Sequence, residues 1–245
     1  MKNSVRGIVL RNPVRHTDRA DILTVYSPEK GRLSVVVPAG GGRTVRHRKA
    51  AFMPLSIIEF QMRESSGGER LARASSVSLL FTYRTIYFEP VKSAVTMMLS
   101  EFLNRLLRDT VPDPLMYRYI TESMILLDDI SDARRIANFH LSFLSGLTVF
   151  AGISPDVSSY SPVSFFDMEA GRYVTLPPAH RNFLIGEEAK MPLLLSRMNY
   201  KNFHRFRFSR EQRRRVLEGI LKYFGLHFPG LDHLNSTEVV FGLFG

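Results

Sequence analysis

Over the first third of the chain, apolar and β-branched residues gather in short runs at 5–10, 21–27, 32–37, 56–61 and 71–79. Runs of this length and texture bounded by turn residues predict strands. Valine, isoleucine, tyrosine and threonine dominate these runs, and their branched or flat side chains suit a pleated surface. Turn chemistry separates them. Ser27-Pro28-Glu29-Lys30-Gly31 sets a tight reversal, because proline fixes φ at the first corner and glycine accepts a positive φ at the exit. Ser65-Ser66-Gly67-Gly68 separates the last two runs in the same way. Five strands at hairpin-like spacing fit a small, nearly closed barrel. An oligonucleotide-binding (OB) fold is the commonest five-stranded example, and an SH3-like barrel is the competing reading.

After Pro90 the texture changes. Val91, Val95, Met98, Leu99, Phe102, Leu103, Leu106 and Leu107 recur every three or four residues, the stripe of an amphipathic helix with Pro90 in its first turn. Pro112 and Pro114 then break the chain, and a second helix is expected over 115–130. A third opens at Ser131-Asp132 and runs through Ile136, Phe139, His140 and Leu147 to a stop at Gly152. The proline-bearing stretch 154–178 reads as loop, with a hairpin over 164–175 turning at Glu169-Ala170-Gly171-Arg172. Over 209–224 Ser209 and Gln212 form a capping box, and Val216, Leu217, Ile220, Leu221 and Phe224 make one apolar stripe. A last short helix is expected over 236–244. The pattern therefore describes an α+β multidomain protein. A five-stranded OB-fold barrel occupies 1–82, and an α-helical domain with a loop-and-hairpin insertion near 154–178 occupies 83–245.

With 245 residues, 44% hydrophobic and 23% charged, the chain can bury a core, which excludes a disordered tail or a fibrous repeat. Cysteine is absent, so disulfides, thiol catalysis and Cys-ligated zinc or iron–sulfur sites are excluded. Near the N-terminus only Ile8-Val9-Leu10 stands before further arginine, too little for a signal-peptide apolar region. The longest mostly apolar stretch, 141–153, contains Ser142, Ser145 and Thr148 and is too short to span a bilayer. A soluble cytoplasmic protein with no membrane partner is expected.

Charge changes the picture most. There are 33 Lys+Arg against 23 Asp+Glu, a formal +10, and most of the cations are arginine. Such an excess points to a polyanionic partner, and the flat guanidinium fork suits phosphate oxygens. The excess is concentrated in two places. Residues 1–80 hold 14 cations and 6 anions, and residues 197–222 hold 9 and 2. In the first, Arg43, Arg46, Arg48 and Lys49 follow three glycines, where a backbone can approach a ligand closely. A phosphate-binding P-loop is excluded, since Arg43 stands where its lysine is required and no strand-to-helix context follows. In the second, Arg197, Lys201, Arg205, Arg207, Arg210, Arg213, Arg214 and Arg215 interleave with Tyr200, Phe203, Phe206 and Phe208. One reading has the rings stack on bases while the guanidinium groups hold phosphates; the other has the rings fill a core with the cations outside it, and both can hold at once.

No catalytic constellation stands out. The seven histidines never show the spacing with a carboxylate that a metalloenzyme helix uses. His140 reads as a hydrogen-bonded core or interface histidine, and Asp128-Asp129 reads as an exposed helix terminus rather than a metal site. No nucleophile-elbow motif occurs. No catalytic residue, cofactor or metal is therefore expected, and a two-metal nuclease lacks the carboxylates it needs.

Gly7-Ile8-Val9-Leu10, the segment from Asp21-Ile22-Leu23 through Gly31-Arg32-Leu33, the glycine-basic loop and Met53-Pro54-Leu55-Ser56-Ile57-Ile58-Glu59 resemble the N-terminal OB domain of the bacterial RecO family. The remainder is similar to that family's C-terminal domain, notably around Phe139 to Leu147, Gly152-Ile153-Ser154-Pro155-Asp156 and Leu234-Asn235-Ser236. The resemblance implies a non-enzymatic DNA-binding mediator of recombinational repair. Such proteins bind single- and double-stranded DNA, anneal complementary strands and contact the acidic tail of single-stranded DNA-binding protein. With RecR they help load RecA. It places DNA on Arg43, Arg46, Arg48 and Lys49, and less directly on Arg205, Arg207, Arg210, Arg213 and Arg214. Arg213, Arg214 and Arg215 are the expected contacts of the partner's acidic tail. Many relatives hold a four-cysteine zinc site in the C-terminal domain, which this chain lacks, so Phe165, Phe166 and Tyr173 are expected to hold that segment by packing. The alternative is an OB module for RNA or the ribosome.

Overall fold

The computed structural model describes residues 3–18, 20–38, 50–63 and 72–243. The chain divides into two compact units, Met1–Asp129 and Ile130–Gly245. In the first, strands β1 (Asn3–Thr17), β2 (Ala20–Ser27), β3 (Gly31–Pro38), β4 (Ile57–Arg63) and β5 (Ala72–Leu79) form a closed barrel in the order β1-β2-β3-β5-β4. Neighbouring strands are antiparallel except β3 and β5, whose parallel pairing completes the closure. This is the five-stranded architecture expected of the short runs. Gly31, with φ of 65°, closes the Ser27 to Gly31 reversal and starts the β2–β3 register.

Val5, Val9, Leu23, Val25, Val35, Val37, Ile58 and Phe60 fill the barrel. The unbroken run Ile8-Val9-Leu10 departs from strict alternation because both barrel faces are covered there. Val9 points inward, while Ile8 and Leu10 are equally buried on the outside. The cover comes from α1 (Pro90–Leu106) and α2 (Pro114–Asp129). The Ser100 hydroxyl of α1 donates to the Leu10 carbonyl at 2.7 Å, and the Asp113 amide donates to the buried Tyr26 hydroxyl at 3.1 Å. The two helices thus belong to the barrel's own compact unit. The sequence changes in composition near 81–89, and the compact units part after Asp129.

Asp128 corrects the reading of an exposed helix terminus. Asp129 is exposed and meets Arg84 at 3.3 Å, but Asp128 is only 3% exposed. Its carboxylate accepts the backbone N–H groups of Arg84, Thr85 and Ile86 at 2.8 to 3.0 Å and the Thr85 hydroxyl at 3.1 Å. Burial alone would raise this carboxyl's pKa; the donors outweigh burial and hold it below the usual value. The buried Lys92 ammonium completes the network, donating to Thr85 Oγ1 at 2.7 Å and to the Asp128 carbonyl at 3.0 Å.

The second unit opens with α3 (Ala133–Phe150), capped by Asp132, whose carboxylate accepts the Arg135 amide at 2.8 Å. Strands β6 (Phe165–Asp167), β7 (Arg172–Val174) and β8 (Phe183–Leu184) form a small sheet, and α4 (Gly186–Ser196), α5 (Arg210–His227) and α6 (Thr237–Leu243) follow. Helix α4 is the one the sequence pattern did not announce, because Pro192 lies inside it and no side chain caps it. The expected hairpin is present, with Gly171 at φ of 65° in its turn. Phe166 and Tyr173 are buried with Met168, Ala189 and Tyr223, while Phe165 packs edge-on against Phe183 at 5.7 Å. No helix among the described residues is long and apolar enough to cross a membrane.

Candidate nucleic-acid interface

The arginine-rich stretch is placed by α5. Ser209 accepts the Gln212 amide, and the Gln212 side chain accepts the Ser209 amide at 2.8 Å, so the capping box fixes where the helix starts. From that start, Arg210, Arg213 and Arg214 fall at i, i+3 and i+4 on one face. With His140, Glu211 and Phe241 they line a cavity of about 390 Å³. Arg210 donates to the Phe241 carbonyl at 2.9 Å, and the Arg214 guanidinium lies 4.9 Å from the centre of the Phe241 ring. Phe241, on the last helix, is a cavity residue that composition and charge did not mark.

The cations differ in how far they are already engaged. Arg213 is half-buried and holds structure, donating to Asn138 Oδ1 at 3.3 Å and to the Phe208 carbonyl at 3.1 Å. Asn138 in turn donates to the carbonyls of Phe203 and Phe206 at 2.9 and 2.8 Å, tying the segment before α5 to α3. Arg214 pairs with Glu218 at 2.8 Å and Arg215 with Glu211 at 3.1 Å. Arg215 is not among the residues lining the cavity. Arg197, Lys201, Arg205 and Arg207 are exposed, and none of them forms an ion pair with another described residue. These four cations are open to a ligand. Arg43, Arg46, Arg48 and Lys49 lie outside the described residues.

The aromatic residues resolve the two readings of the interleaved pattern in favour of packing. Phe203 is fully buried under the Arg135 guanidinium, 5.4 Å from its ring centre, and Tyr200 stacks on Phe139 at 5.6 Å. Phe206 and Phe208 are half-buried and lie 6.1 Å apart. Rings committed to one another in this way are not a platform for bases, and what faces solvent is mainly guanidinium.

His140 is a core histidine, as its place in an apolar helix suggested. It is 1% exposed, and burial together with the charge of Arg213 pushes it down to about 3, so the ring is neutral at ordinary pH. Among the described residues no group of three or more His, Asp or Glu side chains is arranged to hold a metal ion.

Fold and site together define the class: a closed five-stranded OB barrel with a helical second unit that presents an arginine-lined cavity. Comparison with known proteins makes this specific. Residues 1–83 match the family model for recombination protein O, N terminal, and residues 88–237 that for recombination protein O, C terminal. The chain is 36% identical over 240 residues to the DNA repair protein RecO of Phocaeicola vulgatus and 32% identical over 241 residues to that of Bacteroides fragilis, covering 97% of each chain in both cases. It is 23% identical over 242 residues to the RecO of Flavobacterium psychrophilum. The chain belongs to the RecO family of DNA repair proteins, and a role in recombinational repair follows from that membership.

Proposed function

We propose that this protein binds single- and double-stranded DNA through phosphate contacts and anneals complementary strands. With RecR, it helps load RecA onto DNA coated by single-stranded DNA-binding protein. The observation that carries the reading is the set of exposed cations Arg197, Lys201, Arg205 and Arg207, free of acidic partners among the described residues, in a chain of net charge +10. Arg43, Arg46, Arg48 and Lys49 are assigned to the same task on the barrel. Annealing follows physically. Cations that neutralise phosphates reduce repulsion between strands, and contacts made to phosphates leave the pairing edges of the bases free. No bond is made or broken in this action.

The cavity supports a second contact. Three guanidinium groups around a phenylalanine ring suit an acidic peptide with an apolar end, which is the chemistry assigned here to the tail of single-stranded DNA-binding protein. The set that meets it is Arg210, Arg213 and Arg214. Arg215, expected with Arg213 and Arg214 to meet the tail, stands on the same helix and pairs with Glu211.

The test is fluorescence anisotropy of labelled oligonucleotides against salt, with annealing measured in parallel. Arg205→Gln with Arg207→Gln lowers the magnitude of the log–log salt slope by about 1.4 on single strands, roughly 0.7 per lost contact. It also slows annealing. A slope and an annealing rate equal to those of the unaltered protein overturn the assignment of those residues. Faster competition by structured RNA than by DNA at matched salt favours the RNA-binding alternative instead.

A further inference from the structure

The arginines of the α5 cavity are already engaged by another segment of the same chain. Helix α6 runs Thr237-Glu238-Val239-Val240-Phe241-Gly242-Leu243, with its acidic and aromatic residues three positions apart and so on one face. The Phe241 ring lies under the Arg214 guanidinium, 4.9 Å from ring centre to its carbon, and the Phe241 carbonyl accepts an N–H of Arg210 at 2.9 Å. That carbonyl belongs to the last turn of α6, where C=O groups have no partner within the helix and carry the negative end of its dipole. The bond and charge of Glu218 first, then the charges of Glu238 and Glu211, raise the pKa of Arg214 above its ordinary value. Helix α6 therefore brings to Arg210 and Arg214 an apolar ring, a partial negative charge and a carboxylate. These are the parts an acidic peptide with an apolar end would bring.

The seating of α6 is shallow. Of its seven residues only Thr237 and Val240 are buried, while Val239 and Leu243 are exposed. A helix this short has little stability of its own and stays only where packing keeps it. Arg210 forms no ion pair with a described residue, so its full charge is met on α6 by the partial charge of a carbonyl. A carboxylate binds a guanidinium more strongly than that, which favours exchange of α6 for an anionic ligand. Arg213 is held by Asn138 and the Phe208 carbonyl, neither of them on α6.

We propose that α6 is a displaceable occupant of the arginine cavity, held over Arg210 and Arg214 by Glu238 and Phe241, and that an acidic, apolar-ended peptide binds by pushing it aside. The proposal rests on the reading of the cavity as a peptide site and adds the regulation of that site. The apparent affinity for such a peptide is the intrinsic one reduced by the fraction of molecules in which α6 is released.

The test uses the full chain and a fluorescein-labelled oligo-aspartate peptide ending in phenylalanine with a free carboxylate, read by anisotropy. Phe241→Ala removes the ring under Arg214, and Glu238→Gln removes the charge from an exposed position that the fold tolerates. With α6 released in about a tenth of the molecules, freeing the cavity tightens peptide binding about tenfold. Phe241→Ala approaches that gain, and Glu238→Gln gives a smaller one in the same direction. Because the chain has no cysteine, Val239→Cys places a single spin label on the exposed side of α6, and its spectrum sharpens as peptide is added. Equal or weaker peptide binding in either variant, beside a parent that binds, overturns the proposal and leaves the peptide site standing. So does a label whose mobility does not rise at saturating peptide. Binding by Phe241→Ala where the parent shows none supports the proposal. No binding by the parent or by either variant overturns the peptide site and the proposal together.

Discussion

His140 makes the fold of the second unit sensitive to mild acid. The ring is buried in α3 and is pushed from its ordinary 6.5 down to about 3 by desolvation and by Arg213. Well above pH 6.5 the ring is neutral in folded and unfolded chains alike, and it contributes no pH dependence. Below that value the unfolded chain takes up a proton that the folded one refuses, so stability declines as pH falls, by about 1.4 kcal/mol per unit. The decline ends near pH 3, where the folded ring protonates too. From neutrality to about pH 5 the loss from this residue is about 2 kcal/mol, a large share of the 5 to 15 kcal/mol typical of a domain. Replacing His140 by glutamine removes the titration while leaving a polar side chain of similar length. The assay is chemical denaturation at about pH 7.5 and about pH 5, with the second unit's transition followed for both proteins. Packing changes shift both of the variant's values together, so the difference between pH values isolates the histidine. Equal losses of stability in parent and variant would refute the reasoning.

Two further outcomes follow from the buried polar network and the hairpin turn. Asp128→Ala leaves the backbone N–H groups of Arg84, Thr85 and Ile86 without their carboxylate acceptor. It destabilises the first unit by about 3 kcal/mol, read as a lowered thermal midpoint, and an unchanged midpoint refutes the network's role. Because that carboxyl is held below its usual value, its contribution is present above the ordinary carboxylate range and is lost as pH falls through the depressed value. The stabilities of the parent and of Asp128→Asn therefore differ at neutral pH and converge as the pH falls through the depressed value. Gly171→Ala sets a side chain at φ of 65°, with its Cβ 2.7 Å from the Tyr223 hydroxyl oxygen. That hydroxyl donates to the Ile153 carbonyl at 2.7 Å, so the change costs about 1 to 3 kcal/mol in the second unit. Denaturant midpoints of the two proteins measure it.

Much of the arginine-rich segment was open to a closer reading of spacing. Arg214 with Glu218 and Arg215 with Glu211 sit four residues apart, and on a helix already announced by its capping box such pairs are expected to meet. Arg213 is different. Its partner Asn138 lies 75 positions away, and only the lone amide inside an otherwise apolar stretch of α3 hinted that something would be bonded there. Asp128 was misread for the same reason: its donors are 42 to 44 residues upstream, and nothing local to a helix end says whether the chain returns to cover it.

By itself the sequence determined the local structure: the five strands and their turns, the helix starts at Pro90, Asp132 and Ser209, the hairpin at Gly171, and the concentration of cations. These depend on alternation, φ preferences and capping, which act over a few residues. Tertiary structure alone decided which charges are spent and which are available. It buried Asp128 and His140, turned Tyr200 and Phe203 inward, and joined α1 and α2 to the barrel. Those outcomes depend on which distant segments share a desolvated surface. A side chain's partners there are fixed by the packing of the whole unit rather than by its neighbours along the chain.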